Sequence, residues 1–137
     1  MKQKPVIGIT LGDPAGIGPE IAIKALTDKK IYDNVRPLII GSVSYLKQAM
    51  EILGKTLEIN IVEKVEECKF SYGGVDLINI PSEEKGISLG KISSEAGRIS
   101  FEYIKKSIEM GLAGVIDGVV TAPINKEAIH AAGVNFI

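Results

Sequence analysis

Short apolar runs rich in β-branched residues, each followed by a loop and a helix start, constrain this chain more than any other feature. Val6–Leu11 ends at Gly12, Arg36–Ile40 ends at Gly41, and Gly118–Thr121 leads into Ala122-Pro123. Runs of this length and make-up read as strands buried in a core. Helix signals lie between them. In Gly18-Pro19-Glu20 the proline suits the first helical turn and the glutamate suits the helix dipole, while Ile21, Ala22, Ala25 and Leu26 supply an apolar face. Ser42 is placed to cap a second helix that runs to about Leu53 and stops at Gly54. Strand and helix in alternation predict an α/β fold with a mainly parallel sheet under helices. The alternative is an α+β domain with an antiparallel sheet.

Glu58–Val62 reads as a further strand. Lys69–Tyr72 and Val75–Ile80 flank Gly73-Gly74, the dipeptide of a tight turn, so a small β-hairpin insertion is expected there. A polar loop from Pro81 to about Ile92 follows. Ser93 or Ser94 then caps a long helix to about Leu112, and Asn125–Ala132 reads as a last helix.

The 137 residues are 45% hydrophobic, enough for one core but short for two domains. A net charge of −1 argues against nucleic acid as a partner. No run approaches the roughly 20 apolar residues of a membrane span. One cysteine excludes an internal disulfide, and one cysteine with one histidine cannot furnish a multi-histidine or thiolate metal site. A reduced, cytoplasmic setting is the expectation.

Two loops could carry chemistry, and both join a strand to a helix. The first is Gly12-Asp13-Pro14-Ala15-Gly16-Ile17-Gly18-Pro19-Glu20. Gly12, Gly16 and Gly18 let backbone approach a ligand and are the candidate cofactor contacts. The spacing is neither a dinucleotide fingerprint nor a P-loop. Asp13 and Glu20 would repel phosphate, so a ribose diol or a hard divalent cation suits Asp13 better. A tight turn with a dipole-matched Glu20 and no ligand would explain the same residues. The second loop is Thr121-Ala122-Pro123-Ile124-Asn125-Lys126. Lys126 offers a mobile positive charge to an acidic substrate group, and Thr121 and Asn125 offer hydrogen bonds. Asp13 and Lys126 are the candidate catalytic residues, and Thr121 and Asn125 the candidate substrate contacts. A solvated surface lysine is the plain alternative. His130 and Cys68 carry little: one is a lone helical histidine, and the other has no neighbour that would lower its pKa.

These two motifs, with Ala132-Gly133 and Phe136 after them, resemble the 4-hydroxythreonine-4-phosphate dehydrogenase family, and a shorter relative of the first motif opens the isocitrate and isopropylmalate dehydrogenases. The resemblance implies a three-layer α/β/α fold like isopropylmalate dehydrogenase. It implies NAD-dependent oxidation and decarboxylation of 4-phosphooxy-L-threonine on the route to pyridoxal phosphate. A divalent metal (Zn, Mg or Co) would polarise the alcohol through residues not present in this chain. Family members are homodimers whose sites use both subunits. Asn125 and Ser93-Ser94-Glu95-Ala96-Gly97-Arg98 look more like a sister branch acting on 4-phosphorylated threonate or erythronate. Residues 1–137 would then be the N-terminal part of a longer enzyme, whose Gly-His-Thr-Glu segment and metal ligands follow Ile137. Alone, the chain is expected to be inactive and prone to self-associate through apolar surface. The other class of reading is a non-catalytic α/β domain.

Overall fold

The computed structural model describes residues 3–12, 17–81 and 94–122, with side chains in the last stretch from residue 97 onward. Along the chain run β1 (Val6–Thr10), α1 (Gly18–Leu26), α2 (Lys29–Asn34), β2 (Arg36–Gly41), α3 (Val43–Leu53), β3 (Glu58–Val62), a 3-10 turn (Val65–Glu67), β4 (Gly74–Asn79), α4 (Ser94–Leu112) and β5 (Gly118–Thr121). The strands form one sheet in the order β3-β4-β2-β1-β5, and every pairing in it is parallel. The expected α/β class is therefore present, and the antiparallel alternative is not.

Burial along the strands defines the layers. Leu38, Ile39 and Ile40 of β2 are all fully buried. Successive strand residues point to opposite faces, so cover must lie on both. Val75, Asp76, Leu77 and Ile78 repeat this pattern in β4. Helices α1 and α3 pack against each other, while α4 packs along β1, β2 and β5. The result is the three-layer α/β/α arrangement.

The expected hairpin is absent. Lys69–Tyr72 forms no strand, and Gly73, at φ +98°, turns the chain into β4. A strand has two hydrogen-bonding edges, and those of β4 are taken by β3 and β2, leaving no place for an antiparallel partner. The Asp76 carboxylate instead captures the connection. It accepts from the Lys69 amide at 3.0 Å, the Phe70 amide at 2.9 Å and Asn60 Nδ2 at 2.8 Å. Phe70 is held at φ +48°, unusual for a side chain of that size.

Two other details differ from the sequence reading. Helix α2 was not expected. Asp28 caps it, its side chain accepting from the Lys30 amide at 3.0 Å. Ser42 does occupy the N-cap position of α3, but its hydroxyl does not cap. It donates to the Ile80 carbonyl at 2.6 Å, which leaves the Tyr103 hydroxyl to donate to it, also at 2.6 Å. Asn79 supplies the cap instead, accepting from the Val43 amide at 2.9 Å. Among the described residues no helix is long and apolar enough to cross a membrane.

Removing the Asp76 carboxylate strands two backbone amides on the inner side of the β3–β4 connection. Asp76→Ala should therefore lower unfolding free energy by about 2–4 kcal/mol. Chemical denaturation checks this, and an unchanged midpoint would show that water replaces the carboxylate without loss.

Candidate active-site edge between the first and fifth strands

Strand order reverses at β1. The chain leaves β1 for β2 on one side, and β5 later inserts on the other. Connections that diverge in this way open a crevice at the carboxyl ends of the two strands, where α/β sheets bind ligands. Both candidate loops begin there. Thr10 pairs with Thr121 across the parallel seam, and the Ala122 amide donates to the Thr10 carbonyl at 3.0 Å. Gly12 and Ala122, the last described residues before the two loops, thus leave neighbouring strands at one edge.

Two glycines here have conformational or packing reasons. Gly12 sits at φ +76°, where a side chain is disfavoured. Gly18 opens α1 and is buried; a Cβ there would lie 1.9 Å from the Leu11 carbonyl oxygen and 3.3 Å from the Ala122 Cβ. Its lack of a side chain is what lets α1 start between the ends of β1 and β5. That requirement holds whether or not its amide also meets a cofactor.

Of the candidate site residues, Gly12, Gly18 and Thr121 gather at this edge, with Thr121 exposed. Asp13, Gly16, Asn125, Lys126 and also His130 lie outside the described residues. The described residues bring together no group of three or more His, Cys, Asp and Glu able to hold a metal ion. They therefore do not by themselves make up a site for a divalent cation. Cys68 stays a weak candidate. Burial, with Asp76, Glu67 and Glu66 beside it, pushes its thiol up to about 12, away from thiolate chemistry.

Sequence reasoning passed over one residue at this edge. Thr10 is fully buried, and its hydroxyl has no hydrogen-bond partner among the described residues. A threonine closing an otherwise apolar strand was the available signal.

Residues 33–137 match the family described as pyridoxal phosphate biosynthetic protein PdxA. The chain belongs to the PdxA family. A D-threonate 4-phosphate dehydrogenase from Cupriavidus necator is 40% identical over 132 residues, covering 96% of this chain and 40% of that protein. A relative from Clostridium botulinum, provisionally named for the same activity, is 45% identical over 140 residues, all of this chain and 41% of its own length. The crystal structure of a 4-hydroxythreonine-4-phosphate dehydrogenase from Burkholderia phymatum superposes with a TM-score of 0.91 at 39% identity, over 96% of this chain and 40% of that one. This chain thus spans about 40% of the PdxA relatives it matches.

Opposite stability changes are expected from single methyl-sized edits along β1 and α1. Gly18→Ala drives a methyl into backbone and should cost about 3 kcal/mol or prevent folding. Thr10→Val exchanges an unpartnered buried hydroxyl for a methyl and should raise stability by about 1 kcal/mol. Thermal and denaturant unfolding of both variants checks this; a destabilised Thr10→Val would reveal a partner for the hydroxyl.

Proposed function

We propose that this chain is the part of a PdxA-type dehydrogenase that carries the crevice between β1 and β5. The enzyme oxidises the secondary alcohol of a 4-phosphorylated, threonine-like substrate with NAD. One observation supports this most: the two loops with chemistry-bearing residues begin on hydrogen-bonded neighbours at the strand-order reversal. In this reading Asp13 holds the ribose diol or a divalent cation, and Gly12, Gly16 and Gly18 let the backbone close on the cofactor. Lys126 balances the charge of the substrate's phosphate or carboxylate, while Thr121 and Asn125 hydrogen-bond its polar groups. Bound at this edge, NAD would supply the hydride acceptor and a divalent metal held by residues outside this chain the Lewis-acid polarisation, while the alcohol proton leaves to solvent. The remaining ligands come from outside this chain. The enzyme works as a cytoplasmic homodimer.

The first substrate in this reading is 4-phosphooxy-L-threonine, whose oxidation product decarboxylates. A second, a 4-phosphorylated threonate or erythronate, is favoured by the D-threonate names of relatives from Cupriavidus necator and, provisionally, Clostridium botulinum. Protein isolated from its own cells, given NAD, Mg²⁺ or Zn²⁺ and each substrate in turn, should form NADH with one of them. No NADH from any would remove the dehydrogenase reading and leave a non-catalytic domain.

In that active protein, Lys126→Ala should lower kcat/KM by about tenfold to a hundredfold, the worth of a charged hydrogen bond to substrate. Asp13→Ala should raise the KM for NAD or the metal concentration required, with the fold intact by circular dichroism. Unchanged kinetics in both variants would make these surface residues.

A further inference from the structure

The β1–β5 edge holds a hydroxyl that the fold does not use. Among the described residues four serine and threonine side chains are buried: Thr10, Ser42, Ser100 and Ser107. Three of them are bonded. Ser42 meets the Ile80 carbonyl and the Tyr103 hydroxyl. Ser100 donates to the Gly97 carbonyl at 2.9 Å and Ser107 to the Ile104 carbonyl at 2.7 Å, each one turn back along α4. Thr10 alone of the four has no partner. A strand offers no carbonyl one turn back, and the carbonyl of Thr10 itself already accepts from the Ala122 amide. Valine has the same shape without a hydroxyl to satisfy, so threonine at this position costs stability.

The surroundings narrow what this hydroxyl can meet. Thr10 pairs in register with Ile40, and Ser42, still extended at φ −107° and ψ 130°, follows two residues later on the same face. Ser42 bonds to Tyr103 of α4, so Thr10 faces α4 too. On that face a Cβ on Gly8, two residues before Thr10, would lie 3.0 Å from Ile116 Cδ1 and 3.2 Å from Ile40 Cδ1, so the neighbours there are apolar. On the β5 side the register partner of Thr10 is Thr121, on the same face and exposed. Neighbouring strands lie about 4.8 Å apart. Rotation about χ1 brings two threonine hydroxyls across such a gap into a hydrogen bond. We propose that Thr10 is a positioning residue that acts through Thr121, an inference that rests on the dehydrogenase function proposed above. A phosphate or carboxylate oxygen of the substrate can only accept. Thr121 facing such an oxygen must give it its single proton, which leaves the Thr121 lone pairs to accept from Thr10. Donation then runs from Thr10 to Thr121 to the anionic oxygen, each bond polarising the next. No covalent bond changes; the buried threonine sets the direction in which the exposed one donates.

The test uses the protein isolated from its own cells, with NAD and the substrate that yields NADH. Thr10→Val should lower kcat/KM by about fivefold to tenfold, the worth of one neutral hydrogen bond, even though the ligand-free protein becomes more stable. Thr10→Ser restores the hydroxyl and should recover most of that loss. Once Thr121→Val has removed the intermediary, Thr10→Val should lower activity no further, while its gain in stability persists. Inorganic phosphate and acetate, used as competitive inhibitors, identify the anionic oxygen: the inhibition constant of the matching ion should rise in Thr10→Val. The proposal is overturned if Thr10→Val leaves kcat/KM unchanged, if Thr10→Ser is as impaired as Thr10→Val, if the loss is the same with and without the Thr121 hydroxyl, or if neither inhibition constant moves. A wild-type protein that makes no NADH removes the dehydrogenase function itself, and this inference with it.

Discussion

Leu11 is the point on which this sheet turns. Its amide continues the ladder beyond β1, donating to the Ile40 carbonyl at 3.2 Å. Its side chain is fully buried and fills the space at Gly41, where a Cβ would lie 2.3 Å from Leu11 Cδ1. Its carbonyl oxygen lies where a Cβ on Gly18 would have to go. One residue thereby fixes the end of β1 against the end of β2 and the start of α1. Both neighbours must be glycine for this to close. The left-handed turn at Gly12 then takes the chain off the edge at a defined place.

From that junction the location of any chemistry follows. The inner positions of a parallel sheet covered on both faces are filled by apolar side chains, and here Leu38, Ile39, Ile40 and Leu77 fill them completely. Polar groups that can meet a ligand must lie at a strand end. At the β1–β5 edge the described residues offer backbone groups, the exposed Thr121 and Glu20 in the first turn of α1, where it matches the helix dipole. Further charge must come from the loops themselves. Asp13 follows Gly12 directly, and Lys126 comes four residues after Ala122, so opposite charges are attached to adjacent strands. That pairing suits a reaction in which one partner carries a diol or needs a cation and the other carries an anionic group.

Much of this architecture was legible because the signals were local. Val6–Leu11, Arg36–Ile40 and Gly118–Thr121 announce strands through β-branched runs, and Gly54 ends α3 in the left-handed conformation expected of a helix stop, with φ 64°. What failed depended on distant partners. Gly73-Gly74 does mark a turn, but whether the following strand pairs backwards or sideways is decided by β2 and β3, which no local pattern reveals. Ser42 has the right identity and position for a cap, yet Asn79, 36 residues from the Val43 amide it caps, and Tyr103, 61 residues from Ser42, settle the hydrogen bonds. Short α2 escaped because six residues are too few to show a periodic face. The position of the candidate edge was legible for a related reason: glycine and proline mark strand-to-helix loops, and a parallel sheet puts all such loops at one edge.

The two outer strands of the described sheet are finished differently. At the β3 edge the chain protects itself. The loop clamped by Asp76 returns beside β3, Lys69 reaches Glu58 at 3.5 Å, and buried Val62 closes one face. Charged and irregular cover of this sort is how edge strands avoid adding strangers. At β5 none of these devices occurs among the described residues. Gly-Val-Val-Thr is uncharged, β-branched and open on both faces, the make-up of an interior strand rather than a border. The same strand carries Thr121 to the candidate crevice, so the pairing of β5 with β1 also determines how firmly Thr121 is placed.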